Sequence, residues 1–184
     1  NRMEIFDVLS RKAAETGEEY LLIGGHAINQ YGRGRQTTDI DLIVRLGAKE
    51  TWKNIFLDLG YTIFYGHTNF VQFTAPKLGI WPVDIMLVND KTFDEMKAEA
   101  KIANLHTSRS VFIPSPMHLI ALKLHALKEP ERDDKLKDFG DILEVVLSEK
   151  INIYDTDFKT HCEKFGNNDI YQELLRLNEL NRKK

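Results

Sequence analysis

The sequence predicts an α+β fold: a mixed sheet of about five strands, followed by a helical C-terminal half. Up to residue 113, short runs of aliphatic, aromatic and β-branched residues are separated by turn signals. Beyond Pro114, the apolar residues recur at helical spacing instead. The length of 184 residues suits one domain, or one α/β domain with a helical extension.

The first half of the chain alternates helical and strand patterns. The apolar runs predict strands at 20–23, 40–44, 61–65, 70–74 and 82–88. Amphipathic spacing predicts helices at 3–15, 26–31, 51–59 and 92–98. The runs at 61–65 and 70–74 flank a short polar connection and therefore predict a hairpin. Residues 101–113 show no clear period.

The second half predicts four helices, at 116–128 and at about 134–147, 155–165 and 168–180. The change of character near Pro114 to Pro116 places a boundary there. We therefore expect a first region, 1–113, and a helical region, 114–184, packed on it.

Composition and charge are those of an ordinary globular protein. Hydrophobic residues make up 42% of the chain, charged residues 29%, and the net charge of −3 argues against binding nucleic acid or an anionic membrane by bulk charge. Cys162 is the single cysteine, so no internal disulfide can form and a reducing compartment is expected. Since no run approaches the ~18 apolar residues of a membrane span, the sequence predicts a cytoplasmic protein without a membrane partner.

Three aspartates stand inside apolar strand patterns. Because side chains alternate along a strand, Asp39 and Asp41 share one face of the predicted strand, while Ile40 and its apolar neighbours share the other. Asp84 lies inside the apolar run at 82–88. If the two strands are neighbours in register, three negative charges converge, and each like-charge pair at ~4 Å costs about 4 kcal/mol at an effective dielectric of 20.

A cation or protonation must offset such repulsion. Oxygen-only ligands suit Mg²⁺ or Mn²⁺, which commonly bridge to substrate phosphates. Two such ions would activate an attacking oxygen and stabilise the leaving one. The structural alternative is that these are strand-end aspartates that cap loops or pair with arginines.

A Gly24-Gly25 pair lies between a strand and a predicted helix start. Glycines let the backbone approach a ligand closely, and the first turn of a helix favours phosphate. The sequence has neither a P-loop nor a strand-linked dinucleotide fingerprint, so the pair alone is equally consistent with an ordinary turn.

Together, the Gly-Gly turn, the Asp-Ile-Asp run thirteen residues later and the third aspartate in a later strand resemble the nucleotidyltransferase superfamily of the DNA polymerase β type. Gly24, Gly25, Asp39, Asp41 and Asp84 match its motif positions. The resemblance implies metal ligation by the three aspartates and phosphate binding at the glycines. It makes residues 1–113 the catalytic core.

More narrowly, the stretch GGHAINQYGRGRQTTDIDLIV resembles the minimal, AbiEii-like bacterial and archaeal nucleotidyltransferases, in which Arg-x-Thr-x-Asp-Ile-Asp is typical. Arg35 and Thr37 supply that pattern here. The later runs SPMHLIALKLHAL and KDFGDI are similar to a lysine-bearing helix and a Lys/Arg-Asp-x-x-Asp helix of the family. This toxin-like resemblance adds a cognate antitoxin to the expected partners.

Lys123 falls near the centre of the apolar arc of the helix predicted at 116–128. A lysine there must extend out to solvent, pair with a buried acid or meet an anion in a cleft. One interpretation is a salt bridge to a core carboxylate. The other, favoured by the resemblance, is that Lys123 neutralises nucleotide phosphates.

Other polar residues are weaker candidates. Arg35 and Arg33 could contact triphosphate or acceptor, and Thr38 could hydrogen-bond a phosphate. His26 follows the glycines and is expected to be structural. Asp141 falls on the polar side of its predicted helix, where a contact with Lys137 is the simple expectation.

The sequence therefore predicts an enzyme that uses Mg²⁺ or Mn²⁺ to transfer a nucleoside monophosphate from an NTP to an acceptor hydroxyl. The acceptor stays open between tRNA, a protein and a small molecule; lincosamide- or aminoglycoside-modifying enzymes use a related layout. The rival from another class is a catalytically inactive nucleotide-binding module.

Overall fold

In a computed structural model, residues 4–32, 34–105 and 107–182 are described. The α+β fold predicted from the sequence is confirmed. The helices are α1 (Glu4–Thr16), α2 (Gly24–Ile28), α3 (Lys49–Asp58), α4 (Asp90–Ala98), α5 (Pro116–Leu127), α6 (Lys135–Ser148), α7 (Thr156–Phe165) and α8 (Asn168–Arg182). The strands are β1 (Leu21–Ile23), β2 (Ile40–Arg45), β3 (Thr62–His67), β4 (Phe70–Thr74), β5 (Val83–Val88), β6 (Lys101–Ile102) and β7 (Phe112–Ile113).

Five strands form one mixed sheet in the order β1-β2-β5-β4-β3. The central pair, β2 and β5, is parallel, and the other three pairings are antiparallel. A helix and the β3–β4 hairpin lie between β2 and β5 in sequence, as a parallel pairing requires a long crossover. The two strands that carry Asp41 and Asp84 are therefore neighbours at the centre of the sheet.

The two faces of this sheet differ in polarity. Ile40, Leu42 and Val44 of β2 are buried and pair with the buried Val83, Ile85 and Leu87 of β5. Core aromatic residues from α3 and β4 pack against one another, including Phe56 and Phe73 with ring centroids 5.0 Å apart. The alternate positions of β2 and β5 include Asp41 and Asp84, both half-buried on the opposite face.

The chain divides into two compact units by its internal contacts. Unit 1 contains residues 1–30 and 35–115, and unit 2 contains 31–34 and 116–184. Within unit 2, the helices α5 to α8 bury an apolar core that includes Leu124, Ile142, Phe158 and Leu174. Cys162 lies in the same core. The division into domains at 113/114 stays a prediction.

Two local features differ from the sequence expectations. Helix α2 begins at Gly24 and spans five residues, rather than covering 26–31. The stretch 101–113 contains two short strands that pair antiparallel, Lys101 with Ile113 and Ile102 with Phe112. In the part of the chain that is described, no helix has the length and apolar character needed to cross a bilayer.

Candidate active site on the sheet

Asp41 and Asp84 lie directly opposite each other on adjacent parallel strands, since Asp41 pairs with Asp84 in the register of β2 and β5. Their backbones are therefore separated by about 4.8 Å, the spacing of neighbouring strands. Both side chains emerge on the half-buried face. The neighbouring, in-register strands on which the predicted convergence of charge depends are therefore present.

Asp39 stands one residue before β2 and is held by its own loop. The Thr37 hydroxyl donates to Asp39 Oδ1 at 3.0 Å. The loop itself is fixed by Asn29, whose side-chain amide donates to the Arg35 carbonyl and whose Oδ1 accepts from the Arg35 backbone N–H, both at 2.8 Å. Asn29 thus pins the chain that leads into the strand with the carboxylates.

Asp84 has a perturbed ionisation. Burial raises its pKa, the hydrogen bonds from Gln72 lower it, and the negative charge of Asp39 raises it, with a net upward shift. Gln72 Nε2 lies 3.2 Å and 3.1 Å from the two oxygens of Asp84. A carboxylate that is costly to ionise, beside a like charge, is the arrangement expected of a general base or a cation ligand.

Gly24 gives the Asp41 carboxylate its space. Strand β1 ends with Ile23 opposite Asp41, so the next residue lies beside that side chain. Gly24 has φ +60°, and an added Cβ would collide with the carboxylate of Asp41. At Gly25, an added Cβ would lie 2.6 Å from the Thr37 hydroxyl oxygen. Both glycines are therefore required by the acidic loop and strand, a reason that the sequence alone did not reveal.

The donor set of Asp39, Asp41 and Asp84, here called the acidic cluster, matches the chemistry of Mg²⁺ or Mn²⁺ because all its ligands are carboxylate oxygens. Within the described ranges, no three His, Cys, Asp or Glu side chains are already converged as a metal-binding group. Asp84 is turned to the Gln72 amide and Asp39 to Thr37. Metal binding by the acidic cluster stays a prediction.

Lys123 is engaged within unit 2. Its ammonium lies 2.7 Å from Asp138 Oδ1 and 2.8 Å from Asp141 Oδ2, and its side chain is 14% exposed. This is the salt bridge to core carboxylates that one interpretation of the sequence proposed. Contact between Lys123 and a nucleotide stays a prediction.

The expectation that Asp141 faces solvent beside Lys137 is wrong. Asp141 is 3% exposed and pairs with Lys123 from the neighbouring helix, while Lys137 lies 3.8 Å from Asp134. Arg132 donates to Asp138, which is fully buried. Burial raises the pKa of Asp138, but the hydrogen bond from Arg132 and the charge of Lys123 outweigh it, so the net pKa is lowered.

The remaining predicted residues occupy unit 1. Arg35 is half-buried and Thr38 is exposed, both in the loop before β2. His26 is buried, with its ring 5.2 Å from Phe6 and 4.6 Å from Trp81 between centroids, and burial lowers its pKa. The structural role expected for His26 stays a prediction. Arg33 lies outside the described residues.

Sequence reasoning missed Gln72 and Asn29. A signal existed for Gln72, because it is the polar residue in the centre of the apolar run FVQFT, on the face opposite the buried Val71 and Phe73. Its contact with Asp84 required the register of β4 and β5, in which the two residues pair. Nothing in the local pattern around Asn29 indicates the loop it fixes.

No protein-family model matches this sequence, and a search of curated proteins finds no significant relative. Solved structures do share its fold. The crystal structure of ANT(2")-Ia in complex with adenylyl-2"-tobramycin has a TM-score of 0.61 at 19% identity, covering 88% of this chain and 94% of that one.

Two further structures agree. The lincosamide antibiotic adenylyltransferase LnuA, lincomycin-bound, has a TM-score of 0.55 at 16% identity, covering 79% of this chain and 98% of that one. An antigenic nucleotidyltransferase-like protein from Paracoccidioides brasiliensis has a TM-score of 0.56 at 13% identity, covering 88% of this chain and 85% of that one. At these identities the likeness shows the fold, which is that of nucleotidyltransferases. The reaction has to be argued from the site.

Proposed function

We propose that this chain is a metal-dependent nucleotidyltransferase, which transfers a nucleoside monophosphate from an NTP to an acceptor hydroxyl and releases pyrophosphate. The observation that carries the proposal is the pairing of Asp41 with Asp84 at the centre of the sheet, with Asp39 close enough to raise the pKa of Asp84. The nucleotidyltransferase fold supports it.

Asp39, Asp41 and Asp84 would hold Mg²⁺ or Mn²⁺. The ion would supply charge neutralisation at the triphosphate and polarisation of its oxygens. Ionising carboxylates that repel one another costs free energy in the protein alone, and a bound cation recovers that cost. The acidic cluster is therefore better suited to a cation than to a purely structural role.

The reaction forms a bond from the acceptor oxygen to the α-phosphorus and breaks the bond from that phosphorus to the bridging oxygen of pyrophosphate. In this proposal the hydroxyl proton passes to the Asp84 carboxylate, which acts as the general base. Gln72, which donates to both Asp84 oxygens, orients the carboxylate for this transfer.

In this proposal, Gly24 and Gly25 bring the backbone close to the triphosphate, and Arg35 and Thr38 contact its phosphates from the loop before β2. Gly24 leaves the space that the Asp41 carboxylate occupies, so the glycine turn and the metal ligand are coupled. Lys123 would neutralise charge on the nucleotide phosphates, a role that its place in the apolar arc of the predicted helix allows and the family resemblance favours. The AbiEii-like, toxin-like assignment and its cognate antitoxin rest on the resemblance alone.

The acceptor class is open between tRNA, a protein and a small molecule. A small-molecule acceptor is favoured by one observation: two of the solved structures with this fold, ANT(2")-Ia and LnuA, carry adenylyl-2"-tobramycin and lincomycin respectively. An antibiotic-modifying activity is therefore the second candidate. A nucleotide-binding module without chemistry is the rival.

The test is transfer of label from each α-³²P-labelled NTP, with Mg²⁺ or Mn²⁺, to total tRNA, to protein or to a panel of hydroxylated antibiotics. We expect a labelled product that disappears on chelation and in Asp41→Asn. Asp58→Asn, which changes an exposed aspartate of α3, is the matched control and should retain activity. Transfer that persists in Asp41→Asn would refute the proposal, and tight NTP binding without any product would favour the inactive module.

A further inference from the structure

A row of paired residues crosses the sheet from the acidic cluster to the free edge. Asp41 pairs with Asp84, Asp84 with Gln72, and Gln72 with Tyr65. Residues directly opposite each other in a sheet project from the same face. Tyr65 therefore shares the face of the two carboxylates, about 10 Å from Asp84 because two strand spacings separate them.

A bulge places two aromatic residues at the end of this row. The register of β3 and β4 shifts between Ile63 and Tyr65, so Phe64 is the extra residue and opposes Gln72 together with Tyr65. Bulges are common at sheet edges and beside active sites, where they redirect side chains. Phe64 and Tyr65 are here called the aromatic platform.

Both side chains of the aromatic platform are exposed to solvent. Phe64 is 77% exposed and Tyr65 is 52% exposed, and all six residues of β3 are exposed. Large aromatic side chains are normally buried for the apolar area they remove from water. Their exposure beside a site that must bind a second substrate indicates a ligand surface.

The hairpin that carries the platform has no formal charge. Residues 61–75 contain no Asp, Glu, Lys or Arg. Lys49 reaches this hairpin, but its ammonium donates to the carbonyls of His67 and Thr68 at the turn. A polynucleotide is held largely through phosphate contacts from Lys and Arg, which this hairpin does not supply. The ligand that fits is a ring compound with little negative charge.

We propose that the aromatic platform binds the acceptor, and that the acceptor is a small molecule of more than one ring, with a hydroxyl at Asp84 and an apolar ring face on Tyr65. The inference rests on the proposed function for the role of Asp84. The continuous row of paired residues fixes the direction in which the acceptor extends. The separation of about 10 Å between the backbones of Tyr65 and Asp84 requires a molecule longer than a single sugar ring.

Binding without chemistry tests this inference separately from the transferase activity. The probes are lincomycin and a panel of uncharged, hydroxylated compounds of two or three rings, each at millimolar concentration, followed by saturation-transfer NMR and calorimetry on the full chain. Total tRNA is the second arm, followed by filter binding. We expect at least one ring compound to bind, and Tyr65→Ala to weaken it about tenfold.

Two variants separate recognition from folding. Tyr65→Phe keeps the ring and should bind within about twofold of the unsubstituted chain, because stacking uses the ring face. Tyr154→Ala removes a comparably exposed tyrosine, 47% exposed in unit 2, and should leave binding unchanged. In turnover, Tyr65→Ala should raise the KM for the acceptor while the KM for NTP and kcat stay within about twofold.

The inference is overturned if no ring compound binds the unsubstituted chain, if binding survives Tyr65→Ala, or if tRNA binds through Tyr65 instead. Each result is independent of label transfer. A chain that binds a ring compound through Tyr65 but transfers no nucleotide would refute the proposed function and support the platform. If Tyr65→Ala labelled tRNA with full activity, the proposed function would be supported and the role of the aromatic platform would be refuted.

Discussion

Two groups of buried or half-buried acids lie inside apolar elements of this protein, and their surroundings have opposite effects on ionisation. In the sheet, burial and the charge of Asp39 raise the pKa of Asp84. In the helical unit, Arg132 and Lys123 overcome the effect of burial and lower the pKa of Asp138. The second group, Lys123, Arg132, Asp138 and Asp141, is here called the ion-pair cluster.

The difference teaches how to tell a structural acid from a functional one. Each carboxylate of the ion-pair cluster meets a cation that the chain itself supplies. Asp84 instead accepts hydrogen bonds from the neutral Gln72. Removing a partner from a completed ion pair leaves an uncompensated charge. Removing one charge from acids that repel one another lowers their electrostatic repulsion, but it also weakens cation binding.

The largest predicted effect is that of Asp84→Asn on transfer. We expect the rate to fall by about 10³-fold or more, because a general base and a metal ligand are lost together. The free energy of unfolding without divalent metal should not fall, since a half-buried like charge is removed. Labelled-nucleotide transfer and urea unfolding in EDTA measure the two quantities. If Asp84→Asn lowered the free energy of unfolding as strongly as Asp138→Asn does, the proposed difference between the acidic cluster and the ion-pair cluster would be refuted.

The next effect concerns Lys123. Lys123→Met leaves Asp138 and Asp141 buried with less compensation and should cost about 3–5 kcal/mol of unfolding free energy. The control is Lys137→Met, since Lys137 forms an exposed contact of 3.8 Å with Asp134 and should cost no more than about 0.5 kcal/mol. The affinity for Mg²⁺-NTP, measured on the folded fraction, decides whether Lys123 also touches nucleotide. An unchanged affinity would restrict it to the ion-pair cluster.

The glycine turn offers an internally matched pair of substitutions. Gly17 and Gly24 have φ of +71° and +60°, but nothing lies within 4 Å of a Cβ added at Gly17. Gly17→Ala should therefore cost only the backbone strain of about 1–2 kcal/mol and leave transfer intact. Gly24→Ala should add displacement of the Asp41 carboxylate, with about 10²-fold loss of transfer. Equal losses of transfer in Gly17→Ala and Gly24→Ala would contradict the coupling between Gly24 and Asp41.

Most of the fold followed from local patterns, because apolar periodicity and turn residues act over a few positions. The strand with Asp39 and Asp41, the hairpin and the four C-terminal helices have such signals. The placement of Asp84 opposite Asp41 follows from the register of β2 and β5, which is a long-range property. The sequence predicts that the aspartates converge only if the two strands are neighbours in register, and the structure shows that they are.

The errors have the same origin. The sequence pattern predicts that Asp141 lies on the polar side of α6, because a helical wheel shows one helix at a time. In the structure, Lys123 of α5 makes that side a buried contact. The contact of Gln72 with Asp84 depends on the pairing of β4 with β5 and does not follow from the run FVQFT alone. Likewise, the reason for Gly24 is the side chain of Asp41, seventeen positions later in the chain.

The smallest predicted effect is a dependence on pH that distinguishes the ion-pair cluster. The pKa of Asp138 is lower in the folded state than its ordinary value of 3.8, so the stabilisation it provides is complete above that value and is lost as the pH falls through the folded-state pKa. Asp138→Asn removes that stabilisation. The difference in unfolding free energy between the unsubstituted chain and Asp138→Asn should therefore be constant at neutral pH and shrink below about pH 4. Urea unfolding between pH 7 and pH 3 measures this difference. If the difference did not change over this range, Asp138 would stabilise the fold through something other than its charge.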